Sequence, residues 1–489
     1  MFSKLLQQRY LAPSWNHLVD RLIHGPIWQL YKFGRPVTLG ETEQLHWALE
    51  NKIFIPAGNT LTFNSPERKN EVTNQLRPNC AIKVGITPEA ALRLWNEGTG
   101  FGTSIEFPDD NPVVHIQKLQ DAWNSFKDPE HRPKRGNMYV YPANGKYVMD
   151  FIRLKSTADH ADKFPAFNIS VGFPNFEENI QSNPDLLPAI AEAAWKTGDP
   201  GVVFLDRVNE DLPLVHRSKY IRTLVPCGEQ GMFDHETCTL GSINLNADEL
   251  RMHPGSVDIS FTKLEQSIRT AVRFLDNAVD VVQTSSHSFK PYRRIGLGVM
   301  GWADLLVRYG ITYGSKESLE FARGLSQFFG AIARHESGRL ALQARSAFPA
   351  WYRERINMNF ELERTDALTL TRHHRPDLAH EIMRERPRWG MRNVSVTCIA
   401  PTGGINLITG NRGFSIEPTF EDATKLSYET HIRMASEWQS GMCNSVSKTI
   451  NFPEHAERQD FHDAILFARN SNLKALSMYR VGSRKNQPM

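Results

Sequence analysis

From Pro78 onward the chain alternates short apolar runs with longer amphipathic segments, and nothing else in it narrows the fold as far. The runs read AIKVGI (81–86), NMYVYP (137–142), FNISVGF (167–173), GVVFLD (201–206), SINLN (242–246), SVTCIA (395–400) and LSMYRV (476–481). Between several of them lie stretches with helical spacing, such as PEAALRLWNEG (88–98), LLPAIAEAAWKTG (186–198) and FTKLEQSIRTAVRFLDNAVDVV (261–282). Apolar runs of this length suit strands covered on both faces, and the amphipathic stretches suit the helices that cover them. Repetition of the pair along the chain argues for an α/β barrel or a large open sheet. Residues 1–70 read as mostly helical, so the simplest division is a small helical front followed by one continuous catalytic domain over 71–489.

A chain of 489 residues with 40% hydrophobic and 23% charged residues is ordinary for a soluble globular protein. Its net charge of +3 is too small to imply nucleic acid or a membrane surface as a partner. No apolar run approaches the roughly 20 residues of a membrane span. The start, MFSKLLQQRYLAPSW, lacks a secretory signal's apolar core and cleavage site. Five cysteines at wide, irregular spacing do not make a secreted disulfide framework. A reducing cytoplasm is the expected location, with some of these thiols free to cycle.

Two segments carry chemistry. In LVPCGEQGMFDHETCTLGSINLN (224–246), Cys227 stands two residues before Glu229, and Cys238 follows eleven positions after Cys227. In an extended loop, residues two apart project to one side. A thiol and a carboxylate then face one ligand, which suits radical or proton chemistry; a turn beside a buried, inert cysteine fits the same spacing. In SVTCIAPTGGINLITGNRGFSIEPTF (395–420), a strand-like run gives way to small residues whose backbone N–H groups suit a phosphate, although no Gly-Lys-Ser/Thr makes it a P-loop. Cys398 reads as a packed strand residue, Cys443 as structural, and His373–His374 as solvated surface. The basic stretches DPEHRPKR (128–135) and RERPRWGMRN (384–393) read as surface loops.

PCGEQ followed by CTLGSINL resembles the finger loop and following strand of ribonucleotide reductase catalytic chains, especially the adenosylcobalamin-dependent class. APTGGINLITG…SIEPTF is similar to that family's phosphate loop. RRIGLGVMGWADLL (293–306), KRGNMYVYPANGKYVMDFIRLK (134–155), FNISV, TGDPGVVFLDRVN (197–209), SVSKTINFP (445–453) and LSMYRVGSR (476–484) resemble further family blocks in the family's order. The likeness implies a ten-stranded α/β barrel with the finger loop at its centre. It implies reduction of ribonucleoside di- or triphosphates to deoxyribonucleotides for DNA synthesis.

Carried over by motif, the resemblance makes Cys227 the radical-bearing thiol and Glu229 the acceptor of a ribose hydroxyl proton. It makes Cys80 and Cys238 the reducing pair, whose Cα atoms must then lie within about 7 Å of each other. Asn79 and Gly228 border the sugar, and Thr402, Gly403, Gly404, Ile405 and Asn406 hold phosphates through their backbone. Tyr479 matches a tyrosine near the radical cysteine, with a static core role equally open. The implied radical source is adenosylcobalamin, the alternative being a separate ferritin-like dimetal subunit. Implied partners are the ribonucleotide, an external dithiol such as thioredoxin or glutaredoxin, and a second copy in a homodimer.

The chain departs from the family at three places. Val225 stands where the finger loop normally carries Asn, removing a polar contact of a kind worth on the order of 10² in rate. Gly85-Ile86-Thr87 replaces Gly-Asp-Ser, which leaves no acid for an effector's ribose. The front is too short for an ATP cone plus helical domain, and no cysteine-bearing tail follows Arg484, so reduction is expected from outside. A catalytically impaired, nucleotide-binding homologue is the alternative these departures raise.

Overall fold

The computed structural model describes residues 6, 12–25, 27, 38–61, 76, 78, 80–107, 110–126, 136–210, 220–282, 291–350, 366, 368–369, 372 and 375–484. Asn79, the His373–His374 pair and the 128–135 stretch lie outside these residues. Ten strands form one mixed sheet: β1 (Phe54–Pro56), β2 (Cys80–Ile82), β3 (Gly100–Thr103), β4 (Asn137–Pro142), β5 (Phe167–Gly172), β6 (Gly201–Val203), β7 (Thr237–Asn244), β8 (Ile295–Met300), β9 (Thr449–Phe452) and β10 (Ala475–Arg480). β2 to β6 run parallel in chain order, as strand–helix–strand connections require. β7 joins β2 antiparallel at one edge, and β10 joins β6 antiparallel at the other. β8 then pairs parallel with β7, and β9 with β10.

The strand ladder stays open between β8 and β9. There the segment 395–399 runs beside both neighbours through the parallel bridges Leu297↔Thr397 and Ile399↔Val446. The Leu297 amide donates to Val396, and the Ile399 amide to Ser445. This course is compatible with the expected α/β barrel.

The alternation of each strand sorts its side chains. Tyr139 and Tyr141 of β4 and Phe167, Ile169 and Val171 of β5 enter the large core shared with the covering helices. Met138 and Val140 turn to the other face and meet Leu224, Val208, Ile221 and Phe233 in a separate apolar cluster. The expected helices appear as Pro88–Asn96, Leu186–Thr197 and Phe261–Val281. Thr87 and Ser260 cap the first and last of these through their hydroxyls. The longest helix among the described residues is Lys316–Ala344.

Three readings change. RERPRW is not a loop; it ends the helix Pro376–Trp389, which stops before Gly390 at φ +69°. The front region contributes more than the helices Trp15–Ile23 and Leu39–Glu50, because β1 pairs antiparallel with β7. Residues 226–229 form a turn, not an extended loop.

Candidate active site

A hairpin from Leu224 to Gly231 stands against the inner face of the sheet. The antiparallel bridge Leu224↔Gly231 closes it, and the Val225 amide donates to the Gln230 carbonyl at 2.9 Å. At the tip, the Gly228 amide donates to the Val225 carbonyl at 2.8 Å, with Pro226 and Cys227 between them. Proline's fixed φ suits the first corner of such a turn, and Gly228 takes the left-handed φ of +78° that follows. Strands from both arms of the sheet hold the hairpin. Asn168 of β5 donates its side-chain amide to the Pro226 carbonyl at 3.1 Å. Gln230 donates to the Ile295 carbonyl of β8 at 3.1 Å, and the Ser445 amide donates to the Glu229 carbonyl at 3.0 Å. β3 passes so close that a Cβ on Gly102 would lie 2.0 Å from the Leu224 carbonyl oxygen.

The turn separates the two reactive side chains by environment. Cys227 is exposed at the tip, while Glu229 is 2% exposed. Burial pushes the Glu229 carboxyl from its ordinary 4.5 up to about 7, against a backbone hydrogen bond that works the other way. Its Oε2 is buried with no hydrogen-bond partner, an acceptor site held for something else to fill.

Cys80 and Cys238 are direct Cα partners across the antiparallel β2–β7 ladder. Opposed residues in such a ladder have Cα atoms about 4.5–5.5 Å apart, inside the range a disulfide needs. No disulfide joins any of the five cysteines. Cys238 lies in an apolar cluster with Val225, Met232, Leu240 and Cys398, with Cys80 and Ala400 against it. Val225 is therefore fully buried beside the dithiol, an environment that suits its side chain and makes a polar one costly unless it finds a hydrogen-bond partner.

Cys398 is fully buried, and that burial, with Glu229, Cys443 and Cys80 nearby, pushes its thiol well above its ordinary value. Cys443 differs. Burial works against its thiolate, but Arg334, whose Nη1 lies 3.6 Å from Sγ, outweighs that and draws the thiol down. Arg334 is itself anchored on Asp366.

The second segment crosses the ends of β8 and β9. Thr402 takes a left-handed φ of +61° and precedes the short helix Gly403–Thr409. Its hydroxyl accepts from the Ser415 amide at 2.9 Å, and the Ser415 hydroxyl donates to Val299 of β8. Glu417 pairs with the buried Lys448 and accepts from the Thr449 amide at 3.0 Å. A Cβ on Gly403 would meet nothing within 4 Å, so this start faces open space. Asn406 is occupied otherwise: its amide donates back to Thr402 at 2.8 Å, and its side chain donates to the Asn411 carbonyl. The Asn406 amide is thus taken up within the short helix itself. Tyr479, half-buried in β10, shares a strand face with Ala475, which packs on the cluster holding Leu224. Burial raises its hydroxyl above the ordinary value. Ile86 is buried and its carbonyl lies 2.8 Å from His115 Nε2, so an apolar side chain fills that position.

Sequence reasoning did not single out Asn168, Gly102 or Ser445. Only the alternation in FNISV carried a signal, since it puts Asn168 and Phe167 on opposite faces.

Fold and site together define an α/β protein with a dithiol and a buried acid gathered around a central hairpin. Residues 174–425 and 415–479 match the ribonucleotide reductase barrel domain. The chain is 28% identical, over 87% of its length, to the vitamin B12-dependent ribonucleoside-diphosphate reductase of Thermoplasma acidophilum, covering 64% of that protein. It is 29% identical, over 83% of its length, to the protein of the same name from Mycobacterium tuberculosis, covering 66% of it. The Chlamydia pneumoniae ribonucleoside-diphosphate reductase subunit alpha is 30% identical over 51% of this chain and is covered to 26%. The chain belongs to the ribonucleotide reductase barrel-domain family. It spans just under two thirds of the length of the first two relatives, 64% and 66%.

Proposed function

We propose that this chain is a ribonucleotide reductase catalytic chain acting on ribonucleoside diphosphates. The reading rests above all on the direct opposition of Cys80 and Cys238, brought together from distant parts of the sequence. A dithiol so placed can give two electrons and two protons to a substrate and end as one disulfide. In the reaction, the ribose loses its 2′-hydroxyl as water and gains hydrogen, while the two thiols are oxidised. Cys227, as a thiyl radical, removes the 3′ hydrogen and later returns it. Glu229 takes the 3′-hydroxyl proton; a carboxyl near 7 is poised to accept and release protons at neutral pH. The turn at 402–405 receives the phosphates, and Tyr479 belongs near the radical path in this reading.

Adenosylcobalamin, the cofactor implied by relatives named vitamin B12-dependent, supplies the radical when bound. The site fits such a group in one respect: Cys227 is exposed, and a Cβ on Gly228 would meet nothing within 4 Å. Cys227 is then the residue that meets it. Re-reduction of the pair falls to an external dithiol of the thioredoxin or glutaredoxin kind, in a cytoplasmic setting, and a homodimer belongs to the same reading.

The test is conversion of a ribonucleoside diphosphate by the purified chain with dithiothreitol, adenosylcobalamin added or omitted. Deoxynucleotide is expected only with the cofactor, and Cys227→Ser is expected to abolish it. No product under either condition, or undiminished product from Cys227→Ser, overturns the reading.

A further inference from the structure

Asn168 is the only side chain of β5 whose hydrogen bond reaches the finger hairpin among the described contacts, and it reaches the residue before Cys227. Its position follows from the strand's alternation. Phe167, Ile169 and Val171 are buried against the helices, which turns Asn168 and Ser170 to the opposite face. On that face Ser170 donates to the Met138 sulfur at 3.4 Å, and Met138 shares its apolar cluster with Leu224 at the hairpin's base. Asn168 is nonetheless exposed, so the face is open beside the hairpin tip.

The acceptor is a carbonyl, so the atom meeting it is the amide nitrogen. That carbonyl belongs to the peptide joining Pro226 to Cys227, and holding the peptide plane holds the N–Cα axis of Cys227, which narrows the directions in which its side chain can leave the backbone. Within the hairpin, the 225 position offers no polar side chain for this work, because Val225 is buried beside Cys238 and Cys398.

We infer that Asn168 is a positioning residue for the radical-bearing thiol: through the Pro226 carbonyl it aims Cys227 at the sugar. The inference rests on the reductase reading above. A thiol misdirected by about 1 Å costs on the order of 10² in rate without altering how the rest of the substrate is held.

The experiment compares wild type with Asn168→Asp, which keeps the shape but loses the donor, and with Asn168→Ala. Both exposed-site variants are expected to retain the wild-type melting temperature. Each is expected to lower kcat about thirty-fold while KM moves by less than about two-fold, the pattern of lost alignment and not lost binding. A second readout needs no turnover: the alkylation rate of Cys227 by iodoacetamide, located by mass spectrometry, is expected to rise about three-fold in Asn168→Ala as the tip loosens. Wild-type kcat and alkylation in both variants overturn the inference while leaving the reductase reading intact. A wild type that makes no deoxynucleotide sinks that reading instead, and the alkylation comparison still decides whether Asn168 holds the tip.

Discussion

Glu229 shows what burial does to one residue. Its folded value of about 7 lies above its ordinary 4.5, so the folded state binds the proton more tightly than the unfolded chain does. The contribution is fully favourable below about 4.5 and is lost as pH rises through about 7, a total of about 3 kcal/mol. Glu229→Gln removes the charge without changing shape. It is expected to melt higher than wild type at pH 8, with the gap closing by pH 5 in thermal unfolding followed by circular dichroism; an equal offset at both pH values would contradict the assignment. The identities of Cys227, Glu229 and Cys238 were visible in one short motif. Their environments were not, because exposure at 227 and burial at 229 come from a turn that sequence spacing had presented as extended.

At the scale of elements, the hairpin depends on the strand that passes beneath it. Gly102 has no side chain because backbone occupies its place: a Cβ there would stand 2.0 Å from the Leu224 oxygen and 2.7 Å from Ile82 Cδ1. A carbonyl tied into a bridged hairpin cannot swing aside as a flexible side chain can. Gly102→Ala is expected to destabilise the protein by about 1–3 kcal/mol in urea unfolding and, on the proposed function, to reduce deoxynucleotide formation, since any relief displaces the hairpin. Unchanged stability would mean that the hairpin stands farther from β3. Elements with continuous apolar runs, such as β4 and β5, were legible. β3, reading GFGT, and β8, reading IGLGVM, were not read as strands, because glycine interrupts the pattern where other backbone or side chains come close. At β8, a Cβ on Gly298 would stand 2.3 Å from the Cys398 oxygen.

Across the whole molecule, Lys155 joins distant parts of the chain. It is 2% exposed, pairs with Asp199 at 2.8 Å and donates to the Phe167 carbonyl at 2.7 Å. Arg484 meets the same Asp199 from beyond β10. The cluster thus ties the start of β5, the entry to β6 and the exit of β10. Lys155→Met leaves Asp199 buried with one of its two cations, and about 3 kcal/mol of destabilisation is expected in chemical denaturation. A loss below about 1 kcal/mol would show Arg484 sufficient alone. No helix among the described residues is long and apolar enough to cross a membrane.

The order of motifs along the chain was enough to establish the family, the strand–helix alternation and the residue types available for chemistry. These are local properties, carried by side-chain identity and period. The resemblance named Cys80 and Cys238 as a pair, but tertiary structure decided that they are direct partners in register, that Val225 is walled in by their neighbours, and that Asn168 reaches the Pro226 carbonyl. The alternation of one strand sets which face its side chains take, but its exact partners and the approach of another backbone depend on packing between segments far apart in the chain.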